Sequence, residues 1–146
     1  MYKTVLVATD GTENSLTAIR DAVALAASLG ASLVGVHVAP PLRFYAASPA
    51  DAALGLEEDY ERSCREAAEQ YLEQVQVAAE AADVPCTLRF RFGEEIADGI
   101  LGVAAEDACD VLVMASRGRG NLASLLLGSE TRKVLSHARL PVLVVR

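Results

Sequence analysis

The strongest chemical signal in the chain lies in the stretch ASRGRGNLASLLLGSETRK, from Ala115 to Lys133, where Gly118, Gly120 and Gly128 precede Ser129. Glycine permits positive φ or a close backbone approach, and a loop rich in it can aim several N–H groups at one point. Ser129 is a good N-cap for a helix over Glu130 to His137, and the positive end of that helix dipole adds to the loop donors. Such a cradle suits an anion, and phosphate above all. Arg117 and Arg119 could add local positive potential there, or could be ordinary solvated loop arginines.

Three phosphate-loop patterns can be laid on this stretch. The G-x-x-x-x-G-K-[ST] form fails, because no lysine follows a glycine at that spacing. The dinucleotide form G-x-G-x-x-G/A is met by Gly118, Gly120 and Ala123, but it should open a βαβ unit, and only one strand remains after it. The third pattern is Ala115-Ser116-Arg117-Gly118, nine residues from Arg119 to Leu127, then Gly128-Ser129. Together with the opening YKTVLVATDGTENS, a strand ending in His37-Val38 and the closing LPVLVVR, it resembles the universal stress protein family. ATP-binding members of that family carry G-x-x-G, nine residues, then G-[ST], and the resemblance runs over essentially the whole length. Ala115 stands where the motif has its first glycine, and a methyl group there could crowd a ribose or phosphate.

The resemblance implies a site for ATP, with AMP or ADP as alternatives. Thr9 and Asp10 would lie near the nucleoside, the backbone of Val38 at the adenine, and Met114 and Ala115 by the ribose. Gly118, Gly128, Ser129, Glu130 and Thr131 would surround the phosphates, with Arg119 close by. Glu130 is a second departure, since a carboxylate beside phosphates is unfavourable unless it points away or a divalent metal such as Mg2+ sits between. Asp10 also has a plainer reading, in which it hydrogen-bonds the turn before a helix. His37 reads most simply as a satisfied core histidine, and His137 as a complement to a helix dipole.

The elements that must position these residues follow from periodicity. Thr4 to Ala8 reads as a strand, TDGTENS as turn and capping chemistry, and Leu16, Ile19, Val23, Ala26 and Leu29 as a helical stripe closed by Gly30. Ser32 to Val38 is a second strand. Pro40, Pro41, Pro49 and Gly55 then mark a loop too long for a simple connection, with Leu42, Phe44 and Tyr45 as its apolar content; it could cover a site or be a disordered insert. The spacing of Tyr60, Cys64, Ala67, Tyr71, Val75, Ala78 and Ala82 predicts a long helix from about Leu56, with its tyrosines as core and rim. Cys86, Leu88, Phe90 and Phe92 alternate with polar residues, as in a strand near a sheet edge. Ile96, Ile100, Val103 and Ala104 predict a further helix, Asp110 to Met114 a buried strand, and Val134, Leu135 and Ala138 the core-facing stripe of the last helix. Pro141 to Val145 closes the sequence as a short β-branched strand. This alternation points to one α/β domain over 1–146: an open, mostly parallel, five-stranded Rossmann-like sheet with helices on both faces and the binding loop at about 114–131.

A length of 146 residues, 52% of them hydrophobic and 23% charged, is enough for one globular core. A net charge of -7 lacks the basic face that nucleic acid or an anionic membrane would require. Three cysteines, Cys64, Cys86 and Cys109, are widely spaced with no C-x-x-C, which suggests neither a disulfide framework nor zinc and fits a reducing cytoplasm. No G-x-S-x-G, H-E-x-x-H or partnered Cys and His nominates a nucleophile or general base. The leading expectation is therefore a cytoplasmic nucleotide-binding stress-response regulator, homodimeric through its last strand and read by an unidentified protein partner. One alternative is a slow ATPase or self-phosphorylating protein using Ser116, Ser129 or Thr131; another is an interaction module that has lost nucleotide.

Overall fold

The computed structural model describes residues 1–42, 50, 55–118 and 127–146. Arg119, Gly120 and Ala123 of the glycine loop, and Phe44, Tyr45 and Pro49 of the earlier loop, lie outside the described residues. Five strands, β1 (Thr4–Ala8), β2 (Ser32–Ala39), β3 (Cys86–Phe92), β4 (Val111–Ala115) and β5 (Val142–Val145), form a sheet in the order β3-β2-β1-β4-β5. All four pairings are parallel. The helices are α1 (Glu13–Leu29), α2 (Leu56–Ala81), α3 (Ile96–Glu106) and α4 (Ser129–His137). The chain moves one way through β1, β2 and β3, then returns to add β4 and β5 on the other side of β1.

That reversal divides the helices between the two faces. On one face α1 and α2 pack against Val5, Val7, Leu33 and Val113. On the other, α3 and α4 pack against Leu6, Val34, Val36 and Leu112. Alternate residues of β1 and β4 thus enter opposite cores, and both strands read as unbroken apolar runs because neither face meets water. β3 and β5 are the edge strands, as the alternation of β3 and the brevity of β5 predict.

Two helix stripes keep their predicted register, with Ile19, Val23 and Ala26 of α1 and Val134 of α4 buried, but not every predicted member is core. Leu16 and Leu29 of α1 are exposed, and the helix meets the sheet through Ala18, Ile19, Ala22, Val23 and Ala26. Small alanines let α1 approach the sheet closely, which leaves the larger leucines at the margin. Leu135 of α4 is likewise exposed, with Val134 the buried contact. The capping of α1 agrees with its sequence: Thr12 is the N-cap and accepts from the Ser15 N–H, and Gly30 ends the helix at φ 63°. For α4 the prediction fails, because Gly128 occupies the N-cap position with no side-chain cap and Ser129 is the first helical residue.

Candidate functional site

The turn after β1 is knotted around Asp10. Its Oδ1 accepts from the Thr12 N–H at 3.0 Å, the Thr12 hydroxyl at 2.6 Å and the Ser15 hydroxyl at 2.7 Å. One carboxylate oxygen therefore does the plain structural work expected of a turn aspartate. Gly11 follows at φ 80°, and a Cβ there would run into the ring of Tyr71 on α2. Only glycine satisfies both demands. The Tyr71 ring also meets His37 edge-on, at 5.1 Å and 84°. His37 Nδ1 lies 2.8 Å from the Thr9 carbonyl, so that nitrogen carries the proton and donates. The histidine is hydrogen-bonded, as predicted, but it sits on a cavity wall instead of deep in a core.

The opposite wall is built from β4 and α4. The Thr131 hydroxyl is buried and donates to the Ala115 carbonyl at 2.9 Å. The Gly128 N–H donates to the Ser116 carbonyl, and the Ser116 N–H to the Val145 carbonyl, both at 2.7 Å. A Cβ on Gly128 would lie 3.3 Å from the Arg117 Cα and 3.4 Å from the Ser116 oxygen, and one on Gly118 would strike the Asp10 Oδ2. Neither glycine has positive φ, and that of Gly128 is -61°. Of the two uses of glycine, close approach is therefore what both positions require. Ala115 is buried with Val5, Val7, Ala18 and Val145 in the core on the α1 side.

Between these walls, at the carboxyl ends of β1, β2 and β4, lies a cavity of about 820 Å³. It opens where the winding reverses, between β1 and β4, the place where open α/β sheets take ligands. Its size suits a drug-sized or cofactor-sized molecule. Thr9, Asp10, Val38, Met114, Ala115, Gly118, Gly128, Ser129, Glu130 and Thr131 all line it. Arg119 lies outside the described residues. Sequence reasoning missed Tyr60, Cys64, Ile96, Ile100 and Arg132, which line it too, and took Tyr71 for core or rim. The signal was present but merged: α2 carries Tyr60, Cys64, Ala67 and Tyr71 toward the cavity, while Ala68, Leu72, Val75 and Ala79 enter the core. Just after β2, the Pro40 carbonyl accepts from the Tyr60 hydroxyl at 2.6 Å.

Four charged residues border the cavity among those described: Asp10 and Glu130 against Arg117 and Arg132. Lys133 Nζ sits 3.0 Å from Glu95 and 3.6 Å from Glu130 Oε1. The other carboxylate oxygen of Glu130, Oε2, is shielded from solvent and has no hydrogen-bond partner. Among the described residues no group of His, Cys, Asp and Glu is arranged to hold a metal ion, and no helix is long and apolar enough to cross a membrane.

The model of the universal stress protein family matches residues 1–146. The chain belongs to this family. A universal stress protein of Thermus aquaticus, encoded in the 3' region of a QAH/OAS sulfhydrylase, is 35% identical over 147 residues, covering 100% of both chains. Among solved structures, MJ0577 of Methanocaldococcus jannaschii superposes with a TM-score of 0.83 at 25% identity, covering 99% of this chain and 96% of that one. A universal stress protein crystallised in complex with cAMP gives a TM-score of 0.72 at 29% identity, covering 99% of this chain and 97% of that one.

Proposed function

We propose that this universal stress protein binds an adenine nucleotide in the cavity at the carboxyl ends of β1, β2 and β4, and acts through occupancy in place of turnover. The observation that carries the reading is the convergence, on one cavity of about 820 Å³, of the turn after β1 with the Gly118 and Gly128 backbone and the uncapped start of α4. The open N–H groups of that first helical turn and the helix dipole offer an anion what a side-chain cap would otherwise take. The apolar end, with Val38, Ile96 and Ile100, suits a base, and the Asp10 side of the turn suits a ribose. The cAMP-bound relative supports an adenine nucleotide as the ligand class. Within the cell the reading is of a cytoplasmic homodimer, paired through the outer edge of β5 and read by a protein partner.

Of the three hydroxyls that self-phosphorylation could use, that of Thr131 is buried and already committed to the Ala115 carbonyl. A hydroxyl so placed is a poor phosphate acceptor. Titration calorimetry with ATP and AMP tests the assignment, with Gly128→Val as the perturbation. A β-branched side chain at a site where even a Cβ is within 3.4 Å of backbone must displace the loop. That cost, about 1 to 3 kcal/mol, corresponds to roughly one to two decades of affinity. Unchanged affinity in a folded Gly128→Val protein would refute the placement.

A further inference from the structure

We infer that Glu130 sets the ligand preference of this cavity, disfavouring a metal-free triphosphate and admitting a nucleotide of lower charge such as AMP. This rests on the nucleotide reading above and deepens it. The first turn of α4 is where an anion would gain most from open N–H groups, yet the second residue of that helix brings a carboxylate onto the cavity wall. Glu130 Oε2 is shut off from solvent and accepts no hydrogen bond. The Glu130 side chain as a whole is 39% exposed on that wall, with Oε1 toward Lys133, and its negative charge opposes a ligand that brings further anionic oxygens there.

The neighbouring charge does not cancel it. Lys133 is 3.0 Å from Glu95 and only 3.6 Å from Glu130, so one ammonium is shared by two carboxylates, and the pair retains a net negative charge. Arg117 and Arg132 line the cavity together with Asp10 and Glu130, two cations and two anions, so the described wall is close to neutral. A polyphosphate carrying three or four negative charges calls for a surplus of positive groups. A monophosphate is within what the open N–H groups of the helix start can hold. A divalent cation bound to ATP would relieve the repulsion by neutralising both partners.

Calorimetry with ATP and AMP, each in EDTA and then in excess Mg2+, tests this on the intact protein and on Glu130→Gln, with Glu130→Asp keeping the charge. The wild-type protein is expected to prefer AMP over metal-free ATP, and Glu130→Gln to raise metal-free ATP affinity by about tenfold or more while AMP changes less than about threefold. Mg2+ should shrink the wild-type difference, and Glu130→Asp should retain most of it. If both nucleotides bind and their ratio is the same in wild type and Glu130→Gln, the inference is overturned while the nucleotide site stands. Binding of neither nucleotide to any of the folded proteins overturns the nucleotide reading and this inference together. Circular dichroism confirms that each variant is folded before its affinities are compared.

Discussion

Replacing Gly11 by alanine separates two costs that the structure superimposes at one residue. A non-glycine residue at φ 80° carries left-handed strain of about 1 to 2 kcal/mol. The added Cβ would also overlap the Tyr71 ring, which must swing away from Gly11 and from its edge contact with His37. Displacing a packed ring costs about another 1 to 2 kcal/mol, so Gly11→Ala should lose about 2 to 4 kcal/mol in all. For a domain of this size that is roughly 6 to 12 °C in Tm. Urea and thermal unfolding of Gly11→Ala, Tyr71→Ala and the double variant give the assay. Strain in the backbone is indifferent to Tyr71, whereas the overlap vanishes with the ring, so the double variant should be more stable than additivity predicts by about 1 to 2 kcal/mol. Strict additivity would refute the claim that the glycine is needed for the ring as well as for φ.

Three further outcomes follow from other parts of the chain. An alanine methyl that crowds the ligand predicts tighter nucleotide binding in Ala115→Gly, whereas one that packs in the α1-side core predicts a loss of about 1 kcal/mol in stability at unchanged affinity; the burial of Ala115 favours the second, and a tenfold gain in affinity would restore the first. If the outer edge of β5 pairs with a second copy, Val144→Pro should convert the dimer to monomer by removing a strand N–H, and sedimentation equilibrium showing the unaltered protein as a monomer at high micromolar concentration would exclude that pairing. Asp110 is held below its ordinary pKa by N–H groups of Lys3 and Thr4, and Glu106 by its hydrogen bond from Arg91. A lowered folded pKa contributes stability that is present above the ordinary carboxylate range, about pH 4, and is lost as pH falls through the folded value. Urea midpoints should therefore drop on acidification, and less steeply in Asp110→Asn.

The sheet was legible because its physics is local in sequence. β1 and β4 are buried on both faces, so they appear as continuous apolar runs, and β3 shows edge alternation because its outward residues meet water. The start and end of α1 were legible in Thr12 and Gly30, whose chemistry acts within a turn. Side-chain direction was not. The stripe Tyr60, Cys64, Ala67 and Tyr71 shares its period with the core stripe of α2, and only the position of the cavity tells the two apart. Leu16 and Leu29 were misassigned for a related reason: hydrophobic size marks a core face less well than the alanines that permit close packing. The glycines of the binding loop were recognisable, but their reason was not. Close approach to Asp10 and to the backbone after β4 depends on strands distant in sequence, and nothing within the loop encodes it.

The cavity has a property that follows from the division of the helices. Its walls come from α2 on one face of the sheet and from α3 and α4 on the other, so it touches both cores at once. The sheet otherwise keeps those cores apart. An occupant bridging Tyr71, Ile100 and Thr131 would make the two layers share a surface, and opening either would then expose the ligand. Amide hydrogen exchange would slow in α2 and α4 together, without any change in their positions. A protein built in this way can report occupancy as rigidity, felt on the outer faces of its helices, which lie away from the ligand.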